Sequence, residues 1–181
     1  KATLPSAIFF DYEHGNVRFG RDGIGAYIDG IEGRLLRAIK SVLGSSLIAE
    51  KTLVQRRRIA FPEIIGMVLH HLKSLAESQL GQPIESVVLG RPVRFVDNDD
   101  AADRRAQQEL IDIARKQGFR HVELQLEPVA AALDYETSLD REELAMIVDL
   151  GGGTSDFAVM RLSPDRSRRV DRSEGILGRS G

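Results

Sequence analysis

Residues 145–162, AMIVDLGGGTSDFAVMRL, hold the densest set of groups suited to chemistry. Gly151, Gly152 and Gly153 stand between two apolar runs. With no Cβ in the way, their backbone can come within hydrogen-bonding reach of a ligand. Successive peptide N–H groups in such a turn form a concavity that binds anions. Thr154 adds a hydroxyl and another N–H where a terminal phosphate would lie, and Asp149 and Asp156 bracket the turn. Two carboxylates beside a phosphate repel it unless a cation intervenes. Magnesium, which favours oxygen ligands and keeps several waters, suits that place. Three glycines alone fit a plain hairpin turn with incidental acids equally well. The whole pattern of apolar strand, Asp, apolar residue, GGGT, spacer, Asp and apolar strand is far more specific.

The elements that must position this loop follow from periodicity. Leu144–Leu150 and Phe157–Leu162 read as the strands of a hairpin. Upstream, Leu4–Phe10 reads as a strand, with a turn at His14–Asn16 and an extended piece Val17–Phe19. Ile31, Leu35, Ile39 and Val42 recur at helical spacing, so a helix is expected from Ile31 to Leu43, closed by Gly44. Residues 44–60 are poorly periodic and read as loop. Pro62–Leu80 is the clearest helix, with Pro62 in its first turn, Gly81 after its end, and Ile65, Val68, Leu69, Leu72, Leu75 and Ala76 as its buried stripe. Ile84–Leu89 reads as a strand buried on both faces. A helix with Ala106, Leu110, Ile113 and Ala114 inward follows, stopped by Gly118. Then come an alternating strand, Val122–Leu126, and a helix, Pro128–Tyr135. This rhythm of strand and helix predicts an α/β layer.

Composition narrows the possibilities. A net charge of −2 leaves no electrostatic footprint for nucleic acid or an anionic membrane. The arginine clusters at Arg56–Arg58 and Arg166–Arg172 read as solvated loop charge. There is no cysteine, which removes disulfides, thiolate metal sites and cysteine nucleophiles, and agrees with a cytoplasmic protein. His14, His70, His71 and His121 lack i, i+4 spacing, so zinc is not expected. No run approaches the roughly 20 apolar residues of a membrane span, and a soluble protein is expected.

DLGGGTSD resembles the second phosphate loop of the actin-like ATPase superfamily, most closely that of the seventy-kilodalton heat-shock chaperones (DnaK-like). LPSAIFF, AIKSVLG, SVVLGRPVRF and EPVAAALDYE resemble further segments of those proteins, in the same order, so the resemblance covers nearly the whole chain. With RSRRVDRSEGILG added, the set looks closest to a compact YegD-type bacterial branch that has the ATPase domain and lacks the peptide-binding domain.

The resemblance implies a partial ribonuclease-H-like (actin/heat-shock-70) α/β fold. It implies a peripheral subdomain of one lobe at 1–82, a core subdomain at 83–140, and the start of the opposing lobe at 141–181. Lys40 would lie in a turn and reach the terminal phosphate and the attacking water, and Glu127 would orient or deprotonate that water. Gly151, Gly152, Gly153 and Thr154 would hold the phosphates, and Asp149 and Asp156 would hold magnesium through waters. An arginine partner for Pro92 would be Arg104 or Arg105. The implied activity is hydrolysis of ATP to ADP with magnesium as a conformational switch, with client proteins or co-chaperones as partners. The alternatives are a non-hydrolysing nucleotide-sensing or scaffold module of the same fold, or a sugar- or acetate-kinase relative. The family's first phosphate loop and its adenosine pocket have no counterpart in these 181 residues, so the chain is expected to be a fragment that binds Mg-ATP more weakly than micromolar on its own.

Overall fold

A computed structural model describes residues 3–150, 155–165 and 175–180 of the chain. They fold as two compact units, Lys1–Val87 with Arg105–His121, and Val88–Arg104 with Val122–Gly181.

In the first unit, β1 (Ala7–Asp11) is the centre of an antiparallel sheet between β2 (Val17–Phe19) and β3 (Gly33–Arg37). Every residue of β1 is buried, and Ile8 and Phe9 are completely so. The helix α1 (Gly20–Ile28) follows β2. Gly33 is required by close approach: a Cβ there would lie 2.3 Å from Phe9 Cζ and 2.4 Å from the Phe10 carbonyl oxygen. Asp11, buried at the end of β1, accepts hydrogen bonds from Arg18 Nη2 (2.8 Å) and the His14 N–H (2.9 Å). Burial pushes its carboxyl up, but the His14 N–H, the Arg18 guanidinium and the His14 ring outweigh this and hold it at about 2.

The helix expected over Ile31–Leu43 does not form. The segment instead makes β3, which pairs with β1 along its length, and then a 3-10 turn at Ile39–Val42. Sheet pairing over a buried strand overrides the apolar spacing, and Ala38 adopts a left-handed conformation (φ 51°) that no helix interior accommodates. Residues 44–60 carry more structure than expected: a 3-10 turn at Ser46–Ala49 and a hairpin of β4 (Lys51–Val54) and β5 (Arg57–Ala60).

The helix α2 (Phe61–Leu80) has Pro62 in its first turn, and its Gly81 cap is left-handed, with the Gly81 N–H bonded to the Glu77 carbonyl. Its buried stripe is narrower than the apolar spacing suggests: Ile64, Ile65 and Gly66 are buried, whereas Leu72 and Leu75 are exposed. The His71 ring stacks on Phe19 with centroids 4.0 Å apart.

β6 (Ser86–Arg91) and β7 (His121–Leu126) form a two-stranded sheet and are joined by α3 (Asp100–Lys116). Ala106, Leu110, Ile113 and Ala114 are the buried residues of α3, as their spacing predicts. β6 is not covered on both faces: its residues alternate in exposure, and Val88 is 63% exposed. In the second unit, α4 (Glu127–Glu136) follows β7, and β8 (Glu143–Leu150), β9 (Ser155–Leu162) and β10 (Ile176–Ser180) form an antiparallel sheet with β9 central. Val129 and Ala132 of α4 pack with Ala158, Met160 and Leu162 of β9 to make that unit's core, and Ala145 and Ile147 of β8 lie against it. The other face of β8, carrying Leu144, Met146, Val148 and Leu150, is exposed. Among the described residues no helix is long and apolar enough to cross a membrane.

Candidate functional site

The β8–β9 register places Asp149 directly opposite Asp156, with Leu150 opposite Ser155. Cross-strand partners in an antiparallel pair share a face, with Cβ atoms about 4.5–5.5 Å apart. Alternation along the strands makes this the inner face, the one that carries Ala145, Ile147, Ala158 and Met160. Asp149 is half-buried and Asp156 is buried. Gly151, Gly152, Gly153 and Thr154, the expected phosphate-holding residues, lie outside the described residues.

Asp156 is held from outside its own sheet: its Oδ1 accepts the Val93 N–H at 2.6 Å. Val93 belongs to the segment Pro92–Phe95 after β6, which is itself clamped. The buried Arg91 donates through Nε to the Pro92 carbonyl (2.9 Å) and through Nη2 to both oxygens of Asp103 (2.9 Å each). Asp103 also accepts the Phe95 N–H at 2.7 Å, and the Arg91 guanidinium lies over the Phe95 ring. Burial pushes the Asp103 carboxyl up, but Arg91 and the Phe95 N–H override it and hold it below the usual range. A guanidinium out of water needs this many partners to hold its charge. The guanidinium on the Pro92 carbonyl is therefore that of Arg91, not of Arg104 or Arg105, both of which are exposed.

Glu127 opens α4, with Pro128 beside it in the first turn. The partial positive charge at a helix N-terminus favours a carboxylate there. α4 packs through Val129 and Ala132 on the sheet face that bears both aspartates. The Glu127 side chain lies against the backbone of Gly90: a Cβ built on Gly90 would be 3.2 Å from Glu127 Cγ and from Oε1. At the far end of α4 the buried Glu136 accepts the Ser163 N–H (2.9 Å), tying the helix to the end of β9. Lys40 lies in the first unit, in the 3-10 turn Ile39–Val42, while Glu127, Asp149 and Asp156 all belong to the second.

Arg91, Asp103 and Glu136 did not stand out in the sequence. A charge inside the apolar run SVVLGRPV signals that Arg91 is paired, but the acids at Asp97, Asp99, Asp100 and Asp103 are indistinguishable without the fold.

A sequence profile described as Hsp70 protein matches residues 39–166. The chain belongs to the Hsp70 family. Two proteins described as chaperone protein HscA homologs, from Actinobacillus pleuropneumoniae serotype 5b (strain L20) and serotype 3 (strain JL03), are each 38% identical to it over 101 residues, 56% of this chain. The matched stretch is 15% of either relative's length. Hsp70 membership carries the actin-like ATPase fold, and the mixed α/β architecture agrees with it. The part of this Hsp70-family chain that matches the profile contains Lys40, Glu127, Asp149, the Gly151–Thr154 segment and Asp156.

Proposed function

We propose that these residues are the nucleotide-binding part of a chaperone-like protein that binds and hydrolyses ATP with magnesium and uses the ATP/ADP cycle as a conformational switch. The observation that carries the reading is the opposition of Asp149 and Asp156 on either side of the GGGT segment, on the sheet face against which α4 packs. Two facing carboxylates destabilise a strand pair by themselves, so their presence asks for a cation. The donor set fits magnesium, which is commonly held by one or two carboxylates together with waters and substrate phosphates. Asp149 and Asp156 would hold it through waters. When bound, it would neutralise the charge of the phosphates.

The remaining roles belong to the chain's own groups. Gly151, Gly152, Gly153 and Thr154 would bind the phosphates through backbone N–H groups, with Thr154 at the terminal one. Lys40 would offer its ammonium to that phosphate, and Glu127 would orient the attacking water and accept its proton. Positioning and charge neutralisation of this kind account for most of the catalysis of phosphoryl transfer. The same reading divides the chain into lobe I segments at 1–82 and 83–140 and the start of lobe II at 141–181, of ribonuclease-H-like type. It places the protein in the cytoplasm, with clients or co-chaperones as partners. Assignment to the YegD-type branch rests on the combination of the GRPVRF, EPVAAALDYE, DLGGGTSD and RSRRVDRSEGILG segments.

Single-turnover ATP hydrolysis by the full-length polypeptide is the test. Glu127→Gln and Lys40→Ala should each slow it by about 100-fold or more, as for loss of a general base or of a charge stabiliser. Wild-type rates in both variants would overturn the hydrolytic reading.

A further inference from the structure

We infer that Gly90 is a positioning residue for Glu127, its missing side chain being the space in which that carboxylate is held. The inference rests on the role proposed above for Glu127. Glycine weakens a strand interior, because it loses the most backbone freedom on folding and packs nothing. Gly90 nevertheless sits next to the end of β6, one residue before the buried Arg91.

Conformation does not explain it. Gly90 is not among the described residues' positive-φ glycines, which are Gly15, Gly20, Gly30, Gly44, Gly81 and Gly118, so an L-residue would fit its backbone. Space does. A Cβ at Gly90 would meet Glu127 Cγ and Oε1 at 3.2 Å and Cδ at 3.7 Å, and nothing else falls closer. The first two contacts are tighter than ordinary packing, so a methyl group would displace the carboxylate by a few tenths of an ångström. Pro128 and the α4 core contacts of Val129 hold the backbone of Glu127, which leaves the side chain as the part that yields. Strand β6 thus sets where the Glu127 oxygen stands. A general base acts only within hydrogen-bond reach of its proton, and small displacements cost rate steeply.

The experiment is a double-variant cycle in the full-length polypeptide, with single-turnover ATP hydrolysis, ATP affinity and thermal midpoint measured for wild type, Gly90→Ala, Glu127→Gln and the pair. Gly90→Ala should slow hydrolysis by about tenfold while ATP affinity stays within about twofold, since the residue acts on a group that positions water and not on the phosphates. Its thermal midpoint should equal or exceed that of wild type, because alanine suits the strand better. In the Glu127→Gln background the alanine should change the rate no further. A wild-type rate for Gly90→Ala, a lowered midpoint, or an equal additional slowing in the Glu127→Gln background would each overturn the inference and leave the role of Glu127 standing. A wild-type rate for Glu127→Gln alone would overturn the role of Glu127, and the inference with it.

Discussion

Asp149 and Asp156 stand opposite one another across the β8–β9 pair, and they are anchored unequally. Asp156 is buried and accepts the Val93 N–H, whereas Asp149 is half-buried. The two should therefore respond in opposite ways to truncation. Asp156→Ala leaves a buried N–H without an acceptor and should cost about 1–3 kcal/mol of stability. Asp149→Ala removes a like-charge neighbour and, without magnesium, should be neutral or stabilise by up to about 1 kcal/mol. Urea unfolding of both variants in a chelating buffer measures the contrast; equal losses would contradict it.

The segment between β6 and α3 depends on one ion pair. Asp103→Ala would strand the Arg91 guanidinium and free the Phe95 N–H, so it should destabilise by about 3 kcal/mol. Asp100, whose pair with Arg94 is exposed, provides the control: Asp100→Ala should cost less than about 1 kcal/mol. Denaturant midpoints for the two variants check this, and similar midpoints would count against a clamp built on Arg91.

Gly33 has no room for a side chain, since Phe9 Cζ and the Phe10 carbonyl occupy the place of its Cβ. Gly33→Ala should destabilise by about 1–3 kcal/mol, the usual cost of overpacking, through displacement of Phe9 or β3. Gly25, with open space around its Cβ position and no positive φ, should accept alanine and gain a few tenths up to about 1 kcal/mol. Thermal unfolding distinguishes the two sites.

Acid should loosen the first unit through Asp11. Its folded pKa of about 2 lies below the unfolded value of 3.8, so the pairing stabilises fully above the unfolded value. That contribution is lost as pH falls from about 3.8 towards 2. Asp11→Asn should lower stability at neutral pH and flatten the stability profile across this window. An unchanged profile in the variant would show that Asp11 does not contribute to the acid sensitivity.

Local signals in the sequence were enough for α2, with Pro62 and Gly81 marking its ends, and for the buried side of α3 at Ala106, Leu110, Ile113 and Ala114. The GGGT hairpin strands were legible for the same reason, since glycines and alternating apolar runs are short-range features. The apolar residues of Ile31–Leu43 satisfy a helical period, yet the segment is a partner of β1, a relation set by residues some 25 positions away. The Val93–Asp156 bond was invisible for a stronger reason: it joins groups far apart in sequence, and one of them is a backbone N–H, which no side-chain pattern announces. Glu127 stands out in the sequence only through the EPVAAALDYE segment, and its packing on Gly90 is a matter of space, which only the fold shows.

If Asp149 and Asp156 form the magnesium side of a nucleotide site, ATP affinity depends on the metal, and calorimetric titration of the full-length polypeptide with ATP reads that dependence. Wild type should bind ATP at least about tenfold more tightly with magnesium than with a chelator, a difference of about 1.4 kcal/mol. Asp149→Asn should abolish that difference while leaving binding in the chelator unchanged or slightly stronger. ATP affinity that is indifferent to magnesium in wild type, or a magnesium effect that survives Asp149→Asn intact, would rule out a metal site at these two carboxylates.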